Sequence, residues 1–309
     1  MLNLSVNVGR LRLKNPVTVA SGVFGYGEEF KDLIDLKKLG AITTKTITLK
    51  PKEGNPQPRI FETASGLLNS IGLENPGLDI FVKEKLPFLK KTQIPVIVSI
   101  WGNDLEEFVE LAKRLDRIRD IAGIELNLSC PNIKSSKIKD QRVKLIAQET
   151  KATNRTTKAV RKATSKTLIV KLSPNVTDIA DIARSAEDAG ADAVNLINTF
   201  FGLAMDWKKK ALITGGLSGP AIKPLALRAV YEAYKSVEIP IIGTGGIMNT
   251  TDALEFIMCG ATAIGIGTAN LINPRVTIEV IDGLKNHLRN RKIIDIKELI
   301  GSFHHLQKR

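Results

Sequence analysis

Short runs of β-branched and other apolar residues recur along the chain. Each is followed by a stretch in which apolar positions return every three or four residues. The runs are Val17-Thr18-Val19-Ala20, Ala41-Ile42-Thr43-Thr44, Val96-Ile97-Val98-Ser99-Ile100 and Ile124-Glu125-Leu126-Asn127-Leu128. They continue with Leu168-Ile169-Val170-Lys171-Leu172, Ala193-Val194-Asn195-Leu196-Ile197, Pro240-Ile241-Ile242-Gly243 and Ala263-Ile264-Gly265-Ile266. Short apolar runs of this kind predict strands covered on both faces. The helical pattern is plain over 105–118, where Leu105, Phe108, Val109, Leu111, Ala112 and Leu115 form one stripe with charges opposite. Residues 178–189 and 251–259 repeat it, the latter after a Thr251-Asp252 start expected to cap a helix. Eight strands alternating with helices predict an α/β fold, the closed (β/α)8 TIM barrel, rather than an open sheet.

Two segments break the rhythm. The opening, Leu4 through Leu13, alternates in period two around Gly9 and predicts a β-hairpin, read as a lid on the barrel bottom. Between Thr46 and Pro95, the runs Leu49-Lys50-Pro51-Lys52-Glu53-Gly54-Asn55-Pro56-Gln57-Pro58-Arg59 and Gly66-Leu67-Leu68-Asn69-Ser70-Ile71-Gly72-Leu73 are dense in proline and glycine. They predict an inserted loop on the C-terminal face, where barrels keep their sites. No repeat beyond the βα unit is present, so residues 1–309 read as one barrel domain.

Composition narrows the function classes. No apolar run approaches the ~18 residues of a membrane span, and the first residues lack the basic-then-apolar pattern of a secretory signal, so a cytoplasmic protein is expected. Two cysteines, Cys130 and Cys259, exclude a disulfide scaffold and an iron–sulfur cluster held by this chain alone. The three histidines, His287, His304 and His305, leave residues 1–286 without an imidazole, so acid–base chemistry there must use another side chain. The formal net charge of +13 is spread along the chain, somewhat concentrated from Lys134 to Lys171, with few interleaved aromatics. That pattern favours solvated helix faces over a nucleic-acid surface.

The strand ends carry the candidate chemistry. They present Ala20-Ser21-Gly22, Lys45-Thr46, Ser99-Ile100-Trp101-Gly102, Asn127-Leu128-Ser129-Cys130 and Lys171-Leu172-Ser173-Pro174-Asn175. Asn198-Thr199, Gly243-Thr244-Gly245-Gly246 and Gly265-Ile266-Gly267-Thr268 complete the ring. No cluster of His, Asp and Glu is available for a metal-assisted hydrolase, and no carboxylate pair for glycoside cleavage. Lysines, amides, hydroxyls and glycines suit a planar anionic ligand. The glycines at the last two strand ends suit a phosphate, since backbone N–H groups can close on its oxygens. Lys45 and Lys171 either face the mouth, where an anion or π-system meets them, or snorkel outward. Cys130 lies just past a strand end before a proline, where a thiol could accept a proton; Cys259 falls on an apolar helical stripe and reads as core.

Taken in order, these segments resemble the dihydroorotate dehydrogenases over nearly the whole chain. The likeness is carried by Ala20-Ser21-Gly22, Lys45-Thr46-Ile47-Thr48, Glu53 to Arg59, Leu68-Asn69-Ser70-Ile71-Gly72-Leu73 and Asn127-Leu128-Ser129-Cys130-Pro131-Asn132. Lys171-Leu172-Ser173-Pro174-Asn175 and Gly215-Gly216-Leu217-Ser218-Gly219-Pro220-Ala221-Ile222-Lys223-Pro224 extend it. A cysteine rather than a serine at position 130 resembles class 1, and the stretch Leu217-Ser218-Gly219-Pro220 resembles the B-type catalytic subunit.

The resemblance implies an FMN-dependent oxidation of dihydroorotate to orotate in pyrimidine biosynthesis. Cys130 would take the proton from C5 while hydride leaves C6 for flavin N5. Ser21, Lys45, Thr46, Ser99, Asn127, Lys171 and Ile197 would surround the flavin ring and ribityl chain, and Gly219, Gly245, Gly246, Gly267 and Thr268 its phosphate end. Lys45, Asn69, Ser70, Ile71, Gly72, Leu73, Asn127, Asn198 and Thr199 would bind the pyrimidine and its carboxylate. No metal is implied. A homodimer is expected, joined by a separate electron-transfer subunit carrying FAD and an iron–sulfur cluster, in a heterotetramer that delivers electrons to NAD. One departure is visible: where the family has a glycine-containing loop after Cys-Pro-Asn, this chain has the basic run from Ile133, with no glycine between Gly123 and Gly190. Two other readings compete, a related flavin barrel that reduces a pyrimidine, free or in tRNA, and a barrel that has lost catalysis and serves as a binding protein.

Overall fold

The computed structural model describes residues 2–129, 145–208 and 211–306. Its strands, in chain order, are β1 (Val6–Val8), β2 (Leu11–Leu13), β3 (Val17–Val19), β4 (Ile42–Thr43), β5 (Ile60–Thr63), β6 (Gly66–Asn69) and β7 (Val96–Ile100). After these come β8 (Gly123–Asn127), β9 (Thr167–Lys171), β10 (Ala193–Leu196), β11 (Phe200–Asp206), β12 (Ala211–Ser218), β13 (Ile241–Thr244) and β14 (Ala263–Ile266). Eight of them form one parallel sheet in the order β3-β14-β13-β10-β9-β8-β7-β4. A parallel bridge between Thr18 and Ala41, with the Gly40 N–H donating to the Val17 carbonyl at 2.9 Å, joins the two ends and closes the barrel. These are the eight runs the apolar pattern picked out. Every residue of β7, β8 and β9 is buried, which is why polar alternation is absent from them.

The helices are α1 (Gly77–Ile80), α2 (Leu86–Lys91), α3 (Leu105–Asp116), α4 (Thr150–Arg161), α5 (Ile179–Asp188), α6 (Lys223–Tyr234), α7 (Thr250–Met258), α8 (Ala269–Ile272), α9 (Val276–Arg291) and α10 (Ser302–Leu306). Helix α3 buries Phe108, Leu111, Ala112 and Leu115 on one face, each large side chain contributing about 1.5–3 kcal/mol of burial. Asp104 starts α3 by accepting the Glu107 N–H, and Asp178 starts α5 by accepting those of Ala180 and Asp181. At α7 the cap is Asn249, which accepts the Asp252 N–H, and not Thr251 or Asp252 as the sequence suggested. Asn249 has the extended backbone a cap requires, and Thr251 and Asp252 already lie within the first turn.

The hairpin of β1 and β2 lies where expected. A Cβ at Gly9 would stand 2.7 Å from Asp192 Cβ, and Leu11 Cδ1 lies 3.1 Å from a Cβ built on Gly123, so the hairpin covers the first residues of β8 and the entries to β9 and β10. That plugs the N-terminal end and leaves the C-terminal end for ligands.

The segments read as loop and strand-end connection contain a second sheet. It is antiparallel, in the order β11-β12-β6-β5, with Leu217 opposite Leu68 and Met205 opposite Leu212. Its strands escaped the pattern because β5 and β6 are short and β12 carries two adjacent glycines. In β11 the period-two signal is inverted: Phe201, Leu203, Met205 and the following Trp207 point to solvent.

Candidate active site

The C-terminal strand ends and the covering sheet enclose a cavity of about 260 Å³. Parallel register builds its floor. Asn127, Lys171 and Asn195 are successive partners across β8, β9 and β10, so three polar side chains stand at one level inside the barrel. Lys171, 3% exposed, donates from Nζ to Ser21 Oγ at 3.2 Å. Lys45 lines the same cavity, so both lysines face the mouth rather than snorkelling outward. Burial pushes the Lys45 ammonium below the ordinary lysine range; Glu74 opposes that shift and Arg59 adds to it.

Two hydrogen-bond chains hold the amides. Asn127 Nδ2 donates to Thr46 Oγ1 at 3.0 Å, which pairs with Ser99 Oγ at 2.9 Å. Asn198 Nδ2 donates to Ser129 Oγ at 2.9 Å, and the Ser129 hydroxyl reaches Asn127 Oδ1 at 3.3 Å. With those oxygens engaged, the orientation of each amide is fixed before a ligand arrives, so little ordering remains on binding. Beneath them, Thr244 Oγ1 donates to Asn195 Oδ1 at 2.8 Å and Asn195 Nδ2 to Glu125 Oε2 at 2.7 Å. Glu125 is 1% exposed, and its Oε1 has no hydrogen-bond partner among the described residues.

Most of the site residues expected from the sequence meet in this cavity. Ser21, Lys45, Thr46, Asn127, Lys171 and Ile197 line it, as do Gly219, Gly245, Gly246, Gly267 and Thr268. Asn69, Ile71, Gly72, Leu73, Asn198 and Thr199 line it on the side of the covering sheet. Two do not reach the wall. Ser99 stands behind Thr46, and Ser70 spends its Oγ and carbonyl oxygen on the Asn55 amide, at 3.1 and 2.9 Å. Cys130 lies outside the described residues, as does the basic run 133–144. The sequence reading missed Ile60 and Leu67 from β5 and β6, and Met248 and Leu271 from the far rim. Only recognition of the second sheet could have placed the first two. Ser218, whose Oγ accepts from Thr268 Oγ1 at 2.9 Å, was within reach of sequence reasoning because it adjoins Gly219.

The glycines test whether the cavity fits a phosphate-bearing planar cofactor. A Cβ on Gly22 would meet nothing within 4 Å, and one on Gly267 only Ala20 Cβ at 3.4 Å, so any side chain there would fill the cavity. Gly246, at φ +74, is needed for another reason: its Cβ would lie 2.7 Å from Lys223 Cβ and 2.9 Å from the Gly219 carbonyl oxygen. Bare backbone on one side, Lys171 with Ser21 in the middle and amides with Lys45 on the other make a donor set suited to a phosphate, an electron-rich ring and a carboxylated imide. FMN fits these residues.

The family model for dihydroorotate dehydrogenase matches residues 3–288. The chain is 51% identical over 304 residues to the dihydroorotate dehydrogenase B (NAD(+)), catalytic subunit, of Geotalea uraniireducens, covering 97% of this chain and 98% of that one. It is 52% identical over 307 residues to the protein of that name from Desulforamulus reducens, covering 98% and 99%. A third such protein, from Bacteroides thetaiotaomicron, is 50% identical over 306 residues, covering 98% and 99%.

Proposed function

This chain belongs to the dihydroorotate dehydrogenase family, and from that premise we propose that it is a B-type catalytic subunit that oxidises dihydroorotate to orotate in pyrimidine biosynthesis. The observation that carries the reading is the convergence on one cavity of Lys171 with Ser21, the Asn127 and Asn198 amides, Lys45 and a rim of bare glycine backbone. FMN, when bound, supplies the acceptor for the hydride that leaves C6 of dihydroorotate.

The chain's own residues do the rest. Ser21, Thr46, Asn127, Lys171 and Ile197 would hold the flavin ring and ribityl chain, with Ser99 fixing Thr46 from behind. Gly219, Gly245, Gly246, Gly267 and Thr268 would take the phosphate end. Lys171 would supply positive charge beside the ring, which would favour its reduced form. Asn69, Ile71, Gly72, Leu73, Asn127, Asn198 and Thr199 would read the pyrimidine edge, and Lys45 its carboxylate. Ser70 would act through Asn55, by fixing the turn that carries Ile71 and Gly72. The proton on C5 goes to Cys130 Sγ. No histidine precedes His287, and a thiol of ordinary pKa ~8.5 becomes a competent base where its thiolate is stabilised. Ser129, its chain neighbour, is buried and hydrogen-bonded to Asn127 and Asn198.

Electrons must then leave. Two cysteines are too few for an iron–sulfur cluster in this chain, which supports a separate subunit with FAD and such a cluster delivering electrons to NAD. The solvent-facing Phe201, Leu203, Met205, Trp207 and Leu212 support an assembly, a homodimer joined by that subunit, since a contiguous apolar face marks a contact surface. No helix among the described residues is long and apolar enough to cross a membrane, and the cytoplasm is the compartment of this reading.

The test is direct. Purified protein should be yellow and be bleached by dihydroorotate without oxygen or added acceptor; a protein that stays colourless after incubation with FMN would sink the proposal. Cys130→Ser should slow that bleaching strongly at neutral pH and recover as pH rises. An unchanged rate removes Cys130 from the mechanism.

A further inference from the structure

Beside the cavity, two cationic side chains share one carboxylate oxygen. Glu74 Oε2 is in direct contact with the Arg59 guanidinium, while Lys45 Nζ stands 3.8 Å from the same oxygen. The first contact is a charge-assisted hydrogen bond. The second is beyond hydrogen-bond reach, so Lys45 feels the charge and keeps its N–H donors. One carboxylate between two cations leaves about one positive charge facing the cavity, the complement of a monocarboxylate ligand.

The arrangement is held from both sides. Ser70 N–H donates to the Arg59 carbonyl at 2.8 Å, Asn55 N–H to the Ile71 carbonyl at 2.9 Å, and Arg59 Nη1 to the Asn55 carbonyl at 3.3 Å. This ties the segment bearing Arg59 to the one bearing Glu74. The two approach so closely that a Cβ on Gly72 would stand 2.7 Å from Asn55 Cγ. Leu73, which lines the cavity just before Glu74, is held at φ +59, a left-handed conformation costing a non-glycine residue about 1–2 kcal/mol. On the Lys45 side, the Lys45 N–H donates to the Gly25 carbonyl at 2.8 Å.

We propose that Arg59 is a positioning residue for the substrate carboxylate: by engaging Glu74 it keeps that carboxylate off Lys45, so that the Lys45 ammonium is charged yet free to bind the anion. The inference rests on the reading of Lys45 as the substrate's anchor. Glu74 is then an internal competitor for Lys45, and Arg59 decides the competition in the substrate's favour. Neither residue touches the reacting atoms. Among the described residues, the charged or titratable groups facing Lys45 are Glu74, Arg59 and Glu29; the Tyr26 phenol is pushed upward by burial first, and then by the two carboxylates.

The experiment uses the FMN-loaded protein, with orotate titrated by the change in flavin absorbance and turnover measured with dihydroorotate. Arg59→Gln releases Glu74 onto Lys45. The orotate Kd and the dihydroorotate KM should rise about tenfold, the worth of one charge-assisted hydrogen bond lost to competition, with kcat within about twofold. Removing the competitor as well, in the Arg59→Gln/Glu74→Gln double variant, should return both constants to within about threefold of the parent, since the two changes act through one contact. A double variant as impaired as Arg59→Gln, or an Arg59→Gln protein with parental affinity, overturns the proposal.

Should Arg59→Gln fail to fold, Glu74→Gln alone still decides the matter, because the Glu74 side chain is half-exposed, at 43%, and the amide keeps its shape. Losing that charge should tighten orotate by about two- to threefold at low salt, a surface-scale electrostatic effect. It should also move the alkaline loss of orotate binding to lower pH, because Glu74 is what raises Lys45 toward the ordinary lysine range. An unchanged affinity and profile overturn the proposal. A parent protein that binds FMN but no orotate overturns the functional reading instead.

Discussion

Replacing Gly267 with alanine separates the cofactor's needs from those of the fold. The residue follows β14 and lines the cavity, and a Cβ there would touch only Ala20 Cβ at 3.4 Å, ordinary van der Waals contact. Its φ lies outside the left-handed region, so alanine adopts the native backbone without strain. Freed of glycine's extra unfolded-state entropy, the FMN-free protein should be unchanged or more stable by about 0.4–1 kcal/mol. The new methyl, however, stands in the space proposed for the phosphate end. Crowding a close-packed contact by one carbon costs about 1–3 kcal/mol, so the FMN Kd should rise about 5- to 150-fold. Flavin fluorescence quenching on titrating stripped protein gives the Kd, and urea unfolding of the same preparation gives the stability. Gly246→Ala, also at the proposed phosphate end, should differ by damaging the fold itself. At φ +74, with contacts of 2.7 and 2.9 Å to Lys223 and Gly219, it should cost the FMN-free protein about 2–5 kcal/mol, combining left-handed strain with overlap. A Gly267→Ala protein of parental stability and parental FMN affinity would refute the placement of FMN against β14, whatever the enzyme's activity.

Three further outcomes follow from the site and its supports. Lys171→Ala removes the buried ammonium beside Ser21 and should lower the flavin's reduction potential, measured against a dye couple, because negative charge on the reduced ring loses its partner. Lys223, below the Gly246 turn, donates to Asp252 Oδ1 at 2.6 Å and lies 2.8 Å from Glu255 Oε2, and these bonds push it above the ordinary lysine value. A raised lysine stabilises the fold fully below the free value of about 10.4 and progressively less as pH rises through the folded one. Lys223→Met should therefore lower stability by about 1–3 kcal/mol at pH 7, with the difference from the parent shrinking above pH ~10.5. Burial and Glu255 push the Cys259 thiol upward, so labelling of Cys259 in the native protein, followed by peptide mass spectrometry, should accelerate only well above pH ~8.5.

The barrel was legible because its strands obey a local rule: a strand covered on both faces has no polar alternation, and a helix covering it shows one apolar stripe. Both signals lie within a dozen residues of sequence, and β7 with α3 appears as the pattern foretold. Strands β11 and β12 obey a rule the sequence does not state. Phe201, Leu203, Met205 and Leu212 face outward, so a period-two pattern read for its buried face misplaces them unless a neighbouring surface is known. The site divides the same way. Lys45, Asn127 and Lys171 could be placed because they end recognisable strands, and parallel register then sets Asn127 and Lys171 side by side. Arg59 and Glu74 could not, since their meeting depends on how two loop segments latch through Asn55 and Ser70, contacts whose partners lie 15 residues apart with no periodic signal between them. A barrel of this kind separates what is encoded locally, the strand ends that hold a cofactor, from what is encoded by loop packing, the charge balance that a substrate meets. Substitutions that alter substrate affinity with the cofactor still bound should therefore concentrate in residues 54–75, and those that lose the cofactor at the ends of β9, β13 and β14.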